Sequence, residues 1–295
     1  MTMVFKKAQR KLSKLRLAIQ GASGSGKTYS ALLLAKGLGG RIAVIDTERG
    51  SASLYADIDG MPEFDVLELD APFTPEAYIE AIKAAEDAGY DTLIIDSMTH
   101  EWSGTGGCLE INDKLTRTKF RGNSWSAWSE VTPRHRAFVD AMLMSKLNII
   151  ATMRSKTDTI QTEKNGKKVI EKVGLKAEQR DGMDYEFTVV FDVSIDHIAT
   201  TSKDRTALFS DPFTISEDTG KKIRAWLESA SASEMAQPEA AHAKQVADLK
   251  AAMDAADSLE ALADIGAEIG QANLDEQSTT TLRSHYKKRH AELNK

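Results

Sequence analysis

The run Gly21-Ala22-Ser23-Gly24-Ser25-Gly26-Lys27-Thr28 limits what this chain can fold into more than any other stretch. Its glycines let successive backbone N–H groups turn toward one anion, and a helix that follows points its positive end at the same charge. Lys27 is placed to reach outer phosphates, and the Thr28 hydroxyl to ligate Mg²⁺. Such a loop needs a strand before it and a helix after it. Residues 15–20, Leu-Arg-Leu-Ala-Ile-Gln, read as the strand, and 28–38 as a helix stopped by Gly39-Gly40. Residues 21–28 are therefore expected to bind a nucleoside triphosphate with Mg²⁺.

The alternation continues. Residues 41–46 and 64–69 read as strands, and Thr74-Pro75-Glu76 starts a helix, with threonine as cap and proline at the first helical position, that runs to about 88. Residues 92–96 form an apolar strand ending in an acid. Thr132-Pro133 reads as another helix start, leading to a strand at 148–152. Strands that are apolar throughout predict a parallel sheet covered on both faces. Residues 159–173, with Asn165-Gly166 between strand-like runs, read as a β-hairpin, and 187–201 as one or two further strands. Residues 229–238 are a linker by composition, and 239–295 are helical in pattern, with Ser258 as a cap and Leu259, Leu262, Ile265 and Ile269 as a buried stripe. The expected division is 1–228 for the α/β domain, 229–238 for the linker and 239–295 for a helical unit.

Two acids stand at strand ends. In P-loop enzymes an acid placed like Asp96 holds the metal through water. Glu48 lies just beyond the second strand, where a carboxylate can orient and deprotonate a water. A solvated surface acid is an equal reading there, and Glu101 is a rival base.

These features resemble a known group. The loop, then Asp46-Thr47-Glu48, then the apolar strand ending in Asp96-Ser97 resemble the RecA-like ATPases. The segments at 46–51, 94–102 and 152–156 resemble small phage-encoded members, the single-strand annealing and recombination proteins also described as AAA-family nucleotide-binding proteins. The resemblance covers about 15–226. It implies an α/β fold: a RecA-like P-loop NTPase core with a mostly parallel sheet and appended hairpin, followed by the small helical unit. It implies ATP and Mg²⁺, with Lys27, Glu48 and Asp96 catalytic and Gly21, Ala22, Ser23, Gly24, Ser25, Gly26 and Thr28 around the phosphates. Thr152 or Arg154 stands where these proteins sense the γ-phosphate, usually with glutamine. Lys203 and Arg205 end a late strand that in this group reaches the neighbouring subunit's nucleotide. Being two apart, they point to one face, and a cation from a neighbour stabilises charge on the transferred phosphoryl group.

The implied partners are single-stranded DNA, further copies of the chain in a ring or filament, and a single-strand binding protein. The implied setting is the cytoplasm of a bacterial host, with DNA-stimulated hydrolysis. Two alternatives stay open: a ring-forming helicase or translocase, and a nucleotide-gated DNA-loading module with negligible turnover. Candidate DNA contacts are Arg117, Lys119 and Arg121, in a stretch that also carries Trp102, Trp125 and Trp128, and the hairpin lysines Lys164, Lys167 and Lys168. Cations grip phosphates and aromatics stack on bases. The same tryptophans suit core packing and the same lysines a solvated face.

The formal net charge of −6 is not that of a protein that coats nucleic acid by charge alone, so any contact must come from local patches. Cys108 is the only cysteine, which excludes an internal disulfide. With His100, His135 and His197 lacking ligand spacing, no zinc site is expected. No apolar run is long enough to span a bilayer, and no signal-peptide pattern follows the basic first residues, so no membrane association is expected.

Overall fold

The apolar runs assemble into one eight-stranded sheet in the computed structural model, which describes residues 14–294 apart from 165, 166, 273 and 275. For residues 157–175, 231–243, 271, 276 and 277 the backbone alone is described. The strands are β1 (Arg16–Gly21), β2 (Ile42–Asp46), β3 (Asp65–Glu68), β4 (Thr92–Asp96), β5 (Asn148–Lys164), β6 (Lys167–Ala177), β7 (Val189–Val193) and β8 (Ala199–Asp204). The order is β3-β2-β4-β5-β1-β7-β8, with β6 paired to β5. From β3 through β7 every neighbouring pair is parallel. β6 and β8 run antiparallel to their partners.

The helices are α1 (Lys27–Leu38), α2 (Pro75–Asp87), α3 (Thr99–Ser103), α4 (Cys108–Thr118), α5 (Ser124–Met144), α6 (Glu217–Ala255), α7 (Leu259–Gln271) and α8 (Glu276–Leu293). Successive strand side chains go to opposite faces. Ile45, Leu93, Ile95 and Ile149 pack with Tyr78 and Ile82 of α2 and Phe138 and Met142 of α5. Val44, Ile94 and Ile150 pack with Leu32 and Leu34 of α1 and Ile223 of α6. Both faces are therefore covered, which is why these strands have no polar side. Arg16 is the buried exception on β1. Its guanidinium donates to the carbonyls of Leu15, Leu143, Ser145 and Leu147, so the charge is enclosed but satisfied.

Several boundaries differ from the sequence reading. α5 begins nine residues before Pro133, at Ser124, because the Asn123 side chain accepts from Ser126 N at 3.0 Å and caps it there. Pro133 sits inside the helix, whose buried Ala127, Val131, Phe138 and Met142 outweigh one missing backbone bond. β5 does not stop at residue 152 but continues as the first hairpin strand. Residues 229–238, read as a linker, are helical within α6, in keeping with their alanine, glutamate and methionine content. The Asn165-Gly166 turn lies outside the described residues.

The chain divides into two compact units, one of them Ser13–Leu227 and the other comprising Glu228 onward. In the second, Leu249, Met253, Leu262, Ile269 and Leu282 form a small core, with Ile265 packed against it. Ser258 caps α7 by accepting from Ala261 N at 3.2 Å. Leu259 stays largely outside that core, at 37 % exposure. No helix of the described residues is long and apolar enough to cross a membrane.

Candidate active site

The glycine loop runs from the end of β1 into α1, so the loop conformation sets where the helix points. Gly24 and Gly26 have φ of +80° and +84°, values that side chains disfavour. The first-turn amides of α1, Lys27 to Tyr29, have no intrahelical acceptor by the geometry of a helix start. No acidic residue stands in that first turn to compete with an incoming anion. Lys27 Nζ folds back onto the carbonyls of Gly21 at 3.1 Å and Ala22 at 2.9 Å. Burial holds its pKa below the ordinary lysine value, and the nearby Asp96 and Glu48 charges oppose that shift.

β4 is separated from β1 by β5 alone, and this puts Asp96 beside the loop. Its carboxylate accepts from Thr28 Oγ1 at 2.5 Å and from Thr152 Oγ1, on β5, at 2.5 Å. Burial raises the Asp96 pKa above the usual carboxylate range, opposed by those two hydroxyls. A hydroxyl and a carboxylate are the hard oxygen donors Mg²⁺ takes. Thr28 and Asp96 therefore fit the ion on chemistry.

Glu48 is positioned by its own turn. Asp46, buried at the end of β2, accepts from Glu48 N at 2.6 Å and from Ala52 N at 2.8 Å. This fixes the path of residues 47–52. Across the cavity Arg154 donates to Glu48 Oε1 through Nε at 3.0 Å and Nη2 at 2.8 Å. Arg154 lies on β5, two residues beyond Thr152, so one strand presents both side chains to the site.

Lys27, Thr28, Glu48, Asp96 and Arg154 line one cavity of ≈ 850 Å³, which also takes in Ser23, Gly24 and Gly26, with Asp46 and Thr152 supporting it from behind. Its other walls are residues the sequence reading missed: Tyr29, Leu54, Tyr55, Thr214 and Ile215, and His197, which reading had weighed only as a metal ligand. Tyr29 and Tyr55 meet edge to face at 5.9 Å. His197 reaches the loop from the β7–β8 turn, with Nδ1 3.0 Å from Ser25 O. Nothing local marks these residues, which come from four separate places in the chain.

Other candidates lie elsewhere. Lys203 pairs across the sheet with Val190, and Val190 with Ala18. That is roughly 10 Å back along the strands from the Gly21 end. Lys203 Nζ donates to the carbonyls of Asp184 at 2.9 Å and Tyr185 at 2.6 Å, and Arg205 Nη2 to Tyr185 O at 3.4 Å. Neither lines the cavity of its own chain. Arg117 pairs with Asp113 at 2.6 Å, and Lys119 pairs with Glu130. Arg121 follows α4 with φ of +50°. Lys164, Lys167 and Lys168 fall on the two hairpin strands, and their side chains lie outside the described residues. Trp102 stacks on Trp128 at 5.4 Å, whereas Trp125 is 87 % exposed. Glu101, the rival base, is fully buried against Cys108 and His135 and does not line the cavity.

Residues 13–222 match a family described as an AAA domain. No curated protein matches the chain. Among solved structures the chain is similar to the crystal structure of the RadB recombinase, with 15% identity, coverage of 70% of this chain and 90% of that one, and a TM-score of 0.41.

Proposed function

The chain belongs to the AAA domain family, and from that premise we propose that it is a RecA-like Mg-ATPase of phage DNA recombination that binds and anneals single-stranded DNA. The observation that carries this reading is the shared cavity of the glycine loop, the Thr28–Asp96 pair and the Glu48–Arg154 pair. The loop amides and Lys27 hold the phosphates and neutralise their charge. Thr28, and Asp96 through water, would hold Mg²⁺, which would further neutralise the phosphate charge. Glu48 orients the attacking water and takes its proton, and Arg154, beside it, senses the γ-phosphate.

Lys203 and Arg205 act on a neighbouring copy's nucleotide, since they lie too far back along the sheet to serve their own. The chain therefore works as a ring or filament. Residues 1–228 carry this chemistry, and the helical residues from 239 onward serve partner contact. Arg117, Lys119, Arg121 and the hairpin lysines Lys164, Lys167 and Lys168 grip the DNA backbone. The setting is the host cytoplasm, with a single-strand binding protein as partner.

One observation favours a second reading, a nucleotide-gated DNA-loading module with negligible turnover: Arg154 engages Glu48 Oε1 with two hydrogen bonds, which ties the carboxylate to a cation rather than leaving it free to take a proton from water. Phosphate release with and without single-stranded DNA, run beside a strand-annealing assay, separates the two. DNA-stimulated release that Lys27→Ala abolishes, together with annealing, supports the ATPase. Annealing without release supports the loading module. Release without any DNA effect overturns both.

A further inference from the structure

We propose that Glu101, Cys108 and His135 form a buried zinc site that joins α3, α4 and α5. The proposal is independent of the nucleotide chemistry, because none of the three lines the phosphate cavity. The three residues come from three helices, and one ligand atom of each lies within 4.8 Å of the others. Cys108 Sγ is 3.1 Å from Glu101 Oε1. His135 Nδ1 is 3.0 Å from Oε1 and 3.2 Å from Oε2 of the same carboxylate.

The dimensions suit the ion. With Zn–N and Zn–O near 2.0–2.2 Å and Zn–S near 2.3 Å, tetrahedral ligands sit about 3.3–3.6 Å apart. The spacings to Glu101 need to open by only a few tenths of an ångström, while the Cys108 and His135 ligand atoms, within 4.8 Å of one another, need to close toward the same range. Three residues supply three ligands, and a water completes the tetrahedron, as in other three-ligand zinc sites.

Charge points the same way. Glu101 is 0 % exposed, and no lysine or arginine is among its hydrogen-bond or ion-pair partners in the described residues. Its partners are a thiol, an imidazole and the Gln179 amide, whose nitrogen lies 3.5 Å from Oε2 and donates to Met98 O at 3.0 Å. Buried carboxylates are paired with a cation or bound to a metal. Zn²⁺ with one carboxylate, one thiolate and a neutral imidazole is electrically neutral. Binding releases the Cys108 proton to solvent and leaves His135 Nδ1 free of its own. Gln179 then orients the ligating carboxylate from outside.

The site ties down structure that matters elsewhere. α3 follows directly on β4 and Asp96, and α5 carries Trp125 and Trp128. Metal here fixes the helices behind the Asp96 strand end without touching nucleotide.

The test uses the full chain, stripped of metal and titrated with Co²⁺ as a spectroscopic stand-in for zinc. The expected result is a thiolate-to-cobalt charge-transfer band in the near ultraviolet with tetrahedral d–d bands. It saturates at one equivalent, is bleached by one equivalent of Zn²⁺ and is untouched by excess Mg²⁺. Cys108→Ser should lose the band and weaken zinc binding at least about tenfold. Lys27→Ala should keep the band while losing nucleotide, so this site and the ATPase reading fail separately. No metal uptake, or cobalt bound without a thiolate band, overturns the proposal. That holds even if Cys108→Ser does not fold, because the wild-type spectrum alone decides.

Discussion

Replacing Asp46 by alanine separates the positioning of Glu48 from the chemistry of Glu48. Asp46 is 1 % exposed and accepts from two backbone amides, Glu48 N at 2.6 Å and Ala52 N at 2.8 Å. A hydrogen bond to a charged acceptor contributes about 1.5–3 kcal/mol. The Ala52 amide is buried and bears the full loss, whereas the Glu48 amide is only partly buried and recovers some hydration. The net cost is about 3 kcal/mol. For a unit the size of Ser13–Leu227 that corresponds to a fall in Tm of roughly 6–12 °C. Freed residues 47–52 no longer hold the carboxylate over the cavity, so kcat should fall at least about tenfold, within the range general-base catalysis supplies. Nucleotide affinity should change little, because the glycine loop does not depend on this turn. The assays are thermal unfolding by circular dichroism, steady-state phosphate release and titration with a fluorescent ATP analogue. Glu48→Gln is the control: it should lose about 100-fold or more in kcat with Tm nearly unchanged. Asp46→Ala with wild-type kcat, or with an unchanged Tm, would refute the reasoning.

Other outcomes follow from the same contacts. Arg205→Ala should retain nucleotide binding and lose hydrolysis, and adding a hydrolysis-dead Lys27→Ala chain with an intact Arg205 should restore part of it; wild-type turnover in the single variant sinks the neighbour role. Arg16→Leu removes donors to four carbonyls and should cost about 2–4 kcal/mol in chemical denaturation; a loss below about 1 kcal/mol would mean that water replaces them. The Arg134 guanidinium holds the Glu76 carboxyl below the usual carboxylate range. A depressed carboxylate adds stability above its ordinary pKa and loses it as pH falls through the depressed one. Arg134→Ala should therefore be the less stable protein at neutral pH, with the gap to wild type closing in acid as pH falls through the depressed Glu76 value. A gap that is the same at neutral pH and in acid would show that the pair contributes packing alone.

The parts of this molecule that could be read in advance are those whose physics is local. A glycine loop needs positive φ at set positions, a strand buried on both faces needs an unbroken apolar run, and a cap needs threonine or serine three residues ahead of an amide. Hence the loop at 21–28, the strand 92–96 and the caps at Thr74 and Ser258 were visible in one dimension. Pro133 misled because a proline signal is weak against the buried helical face on either side of it. The wall formed by Tyr29, Tyr55, His197 and Ile215 had no local signal, since its members meet only once the strands are ordered. The Glu101–Cys108–His135 cluster had none either, because its ligands lie 34 positions apart at their extremes and show no metal-binding spacing. The opening loop and its flanking strand and helix were settled by the amino-acid order, because backbone conformation and burial pattern act over a few neighbours. The sequence pattern named Lys27, Thr28, Glu48, Asp96 and Arg154 together, but which of them pair, Arg154 with Glu48 and Thr28 and Thr152 with Asp96, was decided by strand order, because electrostatic partnership depends on distance in space.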